Sequence, residues 1–271
     1  MRVVSAAVVA LSFPSAALAK EPAPPTSKWV VNFSDAQCVA TRQYGEDFLV
    51  VKVPPLGDVV QLALFTKGSV SGPDQVEGSL RVDGGTPIKV SALLFNADKS
   101  RQMIHSVNLP RETFGQIQNG RELHWRFSDA NRTVTLKGMN SLMKVMDECV
   151  ADLRKVWNVR HEKIDDPSEK VAAATPAGWT RAKANLAKYF DSDDYPGVAM
   201  QGNQDGLVAF ALLVNEQGRV ADCTVVKTSG VAALDAQSCI LLRQRARFEP
   251  ARDASGQPVK DALIGRIRWR L

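Results

Sequence analysis

Four cysteines and a terminal run of alternating arginines are the side chains of this 271-residue sequence whose types and spacing could do specific chemistry. In an oxidising compartment Cys38, Cys149, Cys223 and Cys239 would form two disulfides, whereas in a cytosol they would suggest metal or redox chemistry. A metal site is disfavoured, because the cysteine spacings are wide, no C-x-x-C occurs, and His105, His124 and His161 are scattered. Four cysteines permit three pairings. Cys38 and Cys149 bracket the N-terminal half while Cys223 and Cys239 fall near the C-terminus, which favours pairing within each half; free thiols are the alternative. The sequence has no G-x-S-x-G elbow, P-loop, H-E-x-x-H or Ser/His/Asp cluster, so neither an enzyme nor a cofactor is expected. The arginines point elsewhere. Arg266, Arg268 and Arg270 alternate with Ile267, Trp269 and Leu271, giving a strand with a basic face and an apolar face, Leu263 lying on the apolar one.

The compartment follows from the N-terminus. Met1-Arg2 precedes an apolar run that ends in Ala17-Leu18-Ala19, the layout of a secretory signal peptide over residues 1–19. An uncleaved membrane anchor is the alternative, but the run is short of the roughly 20 residues that span a bilayer and it contains Pro14. The net charge of +5 is modest and no Lys/Arg block with interleaved aromatics occurs, which argues against nucleic acid as a partner. The length suggests two domains.

After a Pro-rich lead-in, short alternating runs predict strands at 29–33, 48–53, 59–65, 79–82, 88–95, 103–109, 123–127 and 133–137. Turn residues separate them: Pro54-Pro55-Leu56-Gly57, Ser71-Gly72-Pro73-Asp74, Asp83-Gly84-Gly85 and Asp129-Ala130-Asn131. That spacing indicates an antiparallel sandwich or barrel over residues 28–157, with a short helical excursion at 110–120. Leu142, Met146, Cys149, Leu153 and Val156 then recur at helical spacing, so a helix closes this domain. A Cys38–Cys149 bridge would fasten that helix to the start of the sheet. Residues 158–178, charged and Ala-rich with Pro167 and Pro176 as breakers, read as a linker.

The C-terminal domain, 179–271, opens with a candidate helix at 180–190. Leu207 to Val214 is a nearly unbroken apolar run, as for a central strand covered on both faces. Asn215-Glu216-Gln217-Gly218 makes a hairpin turn, and in the returning strand Ala221, Cys223 and Val225 share the core face while Asp222 and Thr224 point away. A helix at 231–245 presents Leu234, Leu241 and Leu242, with Cys239 on the flank of that stripe and within plausible reach of Cys223. Arg243, Arg245 and Arg247 read as a solvated helix end, and the last strand spans 262–271.

These residues resemble the TonB C-terminal domain family, with likeness also to the end domain of TolA. The resemblance rests on Tyr195-Pro196, Gly206, the Asn215-Glu216-Gln217-Gly218 turn with Arg219-Val220, Thr228-Ser229-Gly230 with Leu234-Asp235, Arg247-Phe248-Glu249-Pro250-Ala251, and Gly256-Gln257-Pro258-Val259. It implies an α+β chain whose C-terminal part is a small antiparallel three-stranded sheet with two helices. It further implies a Gram-negative periplasmic location, or inner-membrane anchoring if residues 1–19 are retained. TonB-dependent outer-membrane receptors would be the partners, through an extended TonB-box peptide added as a strand beside Arg266, Ile267, Arg268 and Trp269. ExbB and ExbD would be partners only if residues 1–19 stay as an anchor. A soluble envelope adaptor without energy transduction is the alternative. The N-terminal half, with its early Trp29 and Cys38 and its terminal Cys149 helix, is similar in layout to domains of the invasion-associated locus B type.

Overall fold

The computed structural model describes residues 22–71, 74–97, 101–159 and 175–271. The candidate signal segment 1–19, linker residues 160–174 with His161, and Gly72-Pro73 of the predicted turn lie outside them.

The N-terminal half is built from nine strands: β1 (Val30–Phe33), β2 (Cys38–Tyr44), β3 (Asp47–Val53), β4 (Val59–Lys67), β5 (Asp74–Val82), β6 (Ile88–Asn96), β7 (Gln102–Pro110), β8 (Glu122–Phe127) and β9 (Asn131–Thr135). They form one sheet in the order β1-β2-β3-β4-β7-β6-β5-β8-β9, antiparallel throughout. The nine strands stay one continuous, strongly curled sheet, a partly closed barrel. Its ends are tied by the Tyr44 hydroxyl, which donates to the Thr135 carbonyl at 2.7 Å, and by the chain entering the fold. There the Ala23 amide donates to Thr133 of β9 and the Thr26 amide to Gln43 of β2. Helices α1 (Arg111–Asn119) and α2 (Met139–Val156) complete this half. The stripe Met139, Leu142, Met143, Met146, Val150 and Leu153 of α2 is buried among Leu49, Val51, Leu62, Leu80, Phe114 and Trp125.

Strand β2 has no counterpart among the strands expected from sequence. Every second residue of it is buried, yet one inward position is Arg42, which disguises the alternation. Its guanidinium is satisfied from several sides, donating to the carbonyls of Ser27 (3.2 Å) and Lys137 and lying over the rings of Trp29 and Tyr44. A buried guanidinium with those partners avoids the large cost of an unpaired charge.

In the C-terminal part, β10 (Gly206–Val214), β11 (Val220–Lys227) and β14 (Asp261–Trp269) form a sheet ordered β11-β10-β14, beside a small ribbon of β12 (Ala251–Arg252) and β13 (Pro258–Val259). Helices α3 (Gly197–Gln201) and α4 (Ala232–Arg245) accompany it. The apolar run of β10 is central and buried from Val208 to Val214. One sheet face, through Val208, Phe210, Leu212, Cys223 and Val225, packs with Leu234, Leu241 and Leu242 of α4. The other does not face water along its length: Ala211, Leu213 and Ala262, with Ile264 and Val226 against them, join the barrel core.

Three expectations are corrected here. Ala221 does not share a face with Cys223, because a register shift between Leu213 and Val214 gives β11 an extra residue that reverses the alternation; Ala221 turns to the barrel core. Residues 180–190 form no α-helix. Thr180 pairs with Arg252 and Lys183 with Glu249 in extended conformation, leaving only a 3-10 turn at Leu186–Tyr189. Leu271 lies beyond β14 and is 61% exposed, so it is not part of the apolar face.

The hairpin between β10 and β11 depends on Gly218, whose φ is +71°. A Cβ there would come within 2.0 Å of the Phe248 carbonyl oxygen. Gly218→Ala should therefore cost about 2–3 kcal/mol in chemical denaturation, since left-handed strain and a backbone collision act together.

Candidate functional site: the outer edge of the C-terminal sheet

Which main-chain groups of β14 turn outward follows from the alternation of β10. The Asn215 amide donates to the Arg219 carbonyl across the hairpin at 2.9 Å, so odd-numbered residues at that end of β10 face β11 and even-numbered ones face β14. The β10–β14 register is continuous, from Gly206 opposite Trp269 to Val214 opposite Asp261. Asp261, Leu263, Gly265, Ile267 and Trp269 thus bond to β10, and Ala262, Ile264, Arg266 and Arg268 turn their amides and carbonyls outward. Three bonds agree, two of which take up both outward groups of Ala262: Arg181 donates to the Ala262 carbonyl, the Ala262 amide donates to Asp261 Oδ1 at 3.0 Å, and Asn158 Nδ2 donates to the Lys260 carbonyl at 2.9 Å. Among the described residues no strand pairs with this outer edge.

The other outer strand, β11, is tied to the barrel through a side chain. Asp222 of β11 is 2% exposed and lies against the barrel, where it accepts from Gln37 Nε2 at 2.8 Å and from Lys52 Nζ at 3.1 Å; Thr224 Oγ1 adds a bond at 3.3 Å and Arg243 stands 3.6 Å away. Burial pushes the Lys52 ammonium below its ordinary value, and the Asp222 charge opposes that shift. Sequence reasoning placed Asp222 on the outward face but missed this cluster, whose members are distant in sequence. The signal was an acidic residue at an outward position in an otherwise apolar strand.

The end of β14 is held rigidly. The Trp269 indole N–H donates to Ser238 Oγ of α4 at 2.9 Å, and Ser238, fully buried, donates to the Leu234 carbonyl at 2.9 Å. Phe190 and Tyr195 meet the Trp269 ring edge-on at 5.6 and 5.5 Å, and the Tyr195 hydroxyl donates to the Gln204 carbonyl. Midway along, Gly265 lets the Phe210 ring lie against the strand; a Cβ would come within 2.6 Å of it. At the end of α4, Arg245 is not merely solvated, since it binds both oxygens of Asp194 at 2.6 and 2.7 Å. That hydrogen-bonded pair holds the Asp194 carboxyl below its ordinary value.

Of the four residues expected to meet a partner, Trp269 gives its side chain to the core, Ile267 is half-buried beneath α4, and Arg266 and Arg268 are exposed. Cys38 is joined to Cys149, linking β2 to α2, and Cys223 to Cys239, linking β11 to α4. No group of His, Cys, Asp or Glu suited to a metal ion occurs among the described residues. Nor is any helix among them long and apolar enough to cross a membrane.

A small three-stranded antiparallel sheet with a helix across one face, whose outer strand β14 no strand pairs with among the described residues, is the form of a protein-interaction domain. Residues 192–271 match the family described as the Gram-negative bacterial TonB protein C-terminal region, so this segment is a TonB-type C-terminal domain and its setting is the Gram-negative envelope. No curated protein matches the chain.

Proposed function

We propose that the chain is an envelope protein-binding module that takes up an extended peptide, the TonB box of an outer-membrane receptor, as a fourth strand along β14. The observation that supports this reading most is that Ile264 and Arg268 turn their main-chain groups outward on a strand that no strand pairs with among the described residues. Main-chain hydrogen bonds, each worth about 0.5–1.5 kcal/mol net, would supply affinity, and Arg268 is placed to meet acidic flanks of the guest. In this reading the chain divides into a β-rich domain at 28–157, a linker at 158–178 and a TonB-type domain at 179–271. It works in the periplasm after loss of residues 1–19; coupling to ExbB and ExbD would require that segment as an anchor.

A second reading, an adaptor without energy transduction, is favoured by the barrel itself. Ala262 and Ile264 of β14 are packed into the barrel core, so the accepting sheet is braced by a folded body. The test is a pull-down of receptor plugs with Arg268→Pro and Arg268→Ala. Proline removes an outward amide on an edge strand and leaves the β10 ladder intact, whereas Ile267→Pro would break that ladder. Binding should be lost with Arg268→Pro and retained with Arg268→Ala, both variants keeping the wild-type circular dichroism. Equal binding by all three would overturn strand addition at this edge, and capture of non-receptor envelope proteins alone would favour the adaptor.

A further inference from the structure

Between the barrel and the C-terminal sheet lies a groove of about 1090 Å³ that strand addition at β14 does not use. Its floor is the outer wall of the barrel, where Leu93 and Phe95 of β6 stand half-exposed in place of the polar residues normal for a solvated strand face. Its roof is α4, where Ala236 and Ile240 occupy successive turns and Ile240 is 42% exposed; Val198 of α3 closes the side. A volume of this size exceeds what most small ligands need, and the apolar surfaces face each other across a width set by two rigid bodies.

The charges lining the groove are uneven. Glu77 of β5 and Lys89 of β6 lie on neighbouring strands and offset one another, and the lining carboxylate Asp235 of α4 is turned to Thr228 and Ser229, from which it accepts hydrogen bonds. At the other end Lys52 and Arg243 share a single carboxylate, Asp222, which Lys52 holds at 3.1 Å. Arg243 stands further off at 3.6 Å, with 46% of its side chain exposed. That end therefore carries an excess positive charge beside an apolar channel, a combination that complements a long chain with an anionic head.

We propose that this groove binds a long-chain carboxylate, its hydrocarbon lying between α4 and the barrel wall and its head at Arg243. Binding there would stiffen the junction of the two halves without occupying the β14 edge.

The probe is dodecanoate below its micelle concentration, titrated calorimetrically into the full chain, with dodecyltrimethylammonium and an uncharged dodecyl maltoside as comparisons. The wild type should bind dodecanoate saturably at one site and the cationic amphiphile at least about tenfold more weakly, as expected for one charge-assisted contact. Ala236→Trp, which fills the channel from the groove-lining side of α4, should abolish binding. Arg243→Gln should weaken dodecanoate about tenfold while leaving the maltoside unchanged. Circular dichroism and thermal melts establish that both variants are folded. Absence of saturable dodecanoate binding, or equal binding by Ala236→Trp, would overturn the proposal. So would a concentration-dependent dimer of the wild type that Ala236→Trp abolishes, since the occupant would then be a second copy.

Discussion

Asp222→Ala should lower the free energy of unfolding by about 3–5 kcal/mol, the usual cost of breaking a buried pair from one side. Asp222 accepts from Gln37 and Lys52 of the barrel while standing on a strand of the C-terminal sheet, so its loss strands the Lys52 ammonium at the junction of the two halves. Lys52 is 12% exposed at its side chain and already has its proton affinity lowered by burial, with the Asp222 charge as the main opposing influence. Removing that charge lowers the folded-state pKa further below the ordinary value of 10.5. The unfolded chain then binds more protons than the folded one between those two limits, so stability rises with pH there. The deficit of Asp222→Ala should accordingly shrink in urea titrations carried out at increasingly alkaline pH. A Lys52→Met, Asp222→Leu double variant should recover most of the loss, because apolar groups of similar volume can replace a buried pair at little cost. A small effect of Asp222→Ala at neutral pH would mean that water reaches the cluster and the halves are not locked through it.

The contrast between what the sequence disclosed and what it hid lies in how local each cause is. The unbroken run of β10, the alternation in β14 and the stripe of α2 state their burial within a few residues, and each forms the element that the pattern implies. Strand β2 was hidden because Arg42 occupies an inward position and is made tolerable by partners at Ser27, Trp29 and Lys137, two of them just upstream and one far downstream. The face of Ala221 was misjudged because one bulged residue reverses every side chain on its far side. The extended stretch at 180–183 has helix-compatible spacing, but pairing with residues 249–252 decides its conformation. The candidate edge was legible in part. Alternation placed Arg266 and Arg268 opposite Ile267 and Trp269, while covering of the same sheet face by the barrel at Ala262 and Ile264 is a long-range fact with no signature in a basic strand.

Removing the Cys38–Cys149 bridge should cost about 4–5 kcal/mol, against about 3 kcal/mol for Cys223–Cys239, if cross-links act chiefly on the entropy of the unfolded chain. The first spans 111 residues and the second 16, and closure entropy grows with the logarithm of that separation. The two also differ in what they hold. Cys38 opens β2, the strand that carries Arg42 and Tyr44 to the barrel seam, and Cys149 sits on the buried stripe of α2, so this bridge pins the plug of the barrel to its closing strand. Cys223 and Cys239 join β11 to α4 across a core that Leu234, Leu241 and Phe210 already fill. Paired serine substitutions, Cys38→Ser with Cys149→Ser and Cys223→Ser with Cys239→Ser, compared by urea denaturation under one condition, should show the larger loss for the barrel bridge. The C-terminal pair should still present Trp269 in its buried, Ser238-bonded setting, read from its fluorescence relative to a Trp269→Phe reference. A larger loss from the short bridge would show that native packing around Cys239, rather than chain entropy, sets the contribution, and would place the weaker structure in the very domain whose edge strand is proposed to receive a guest.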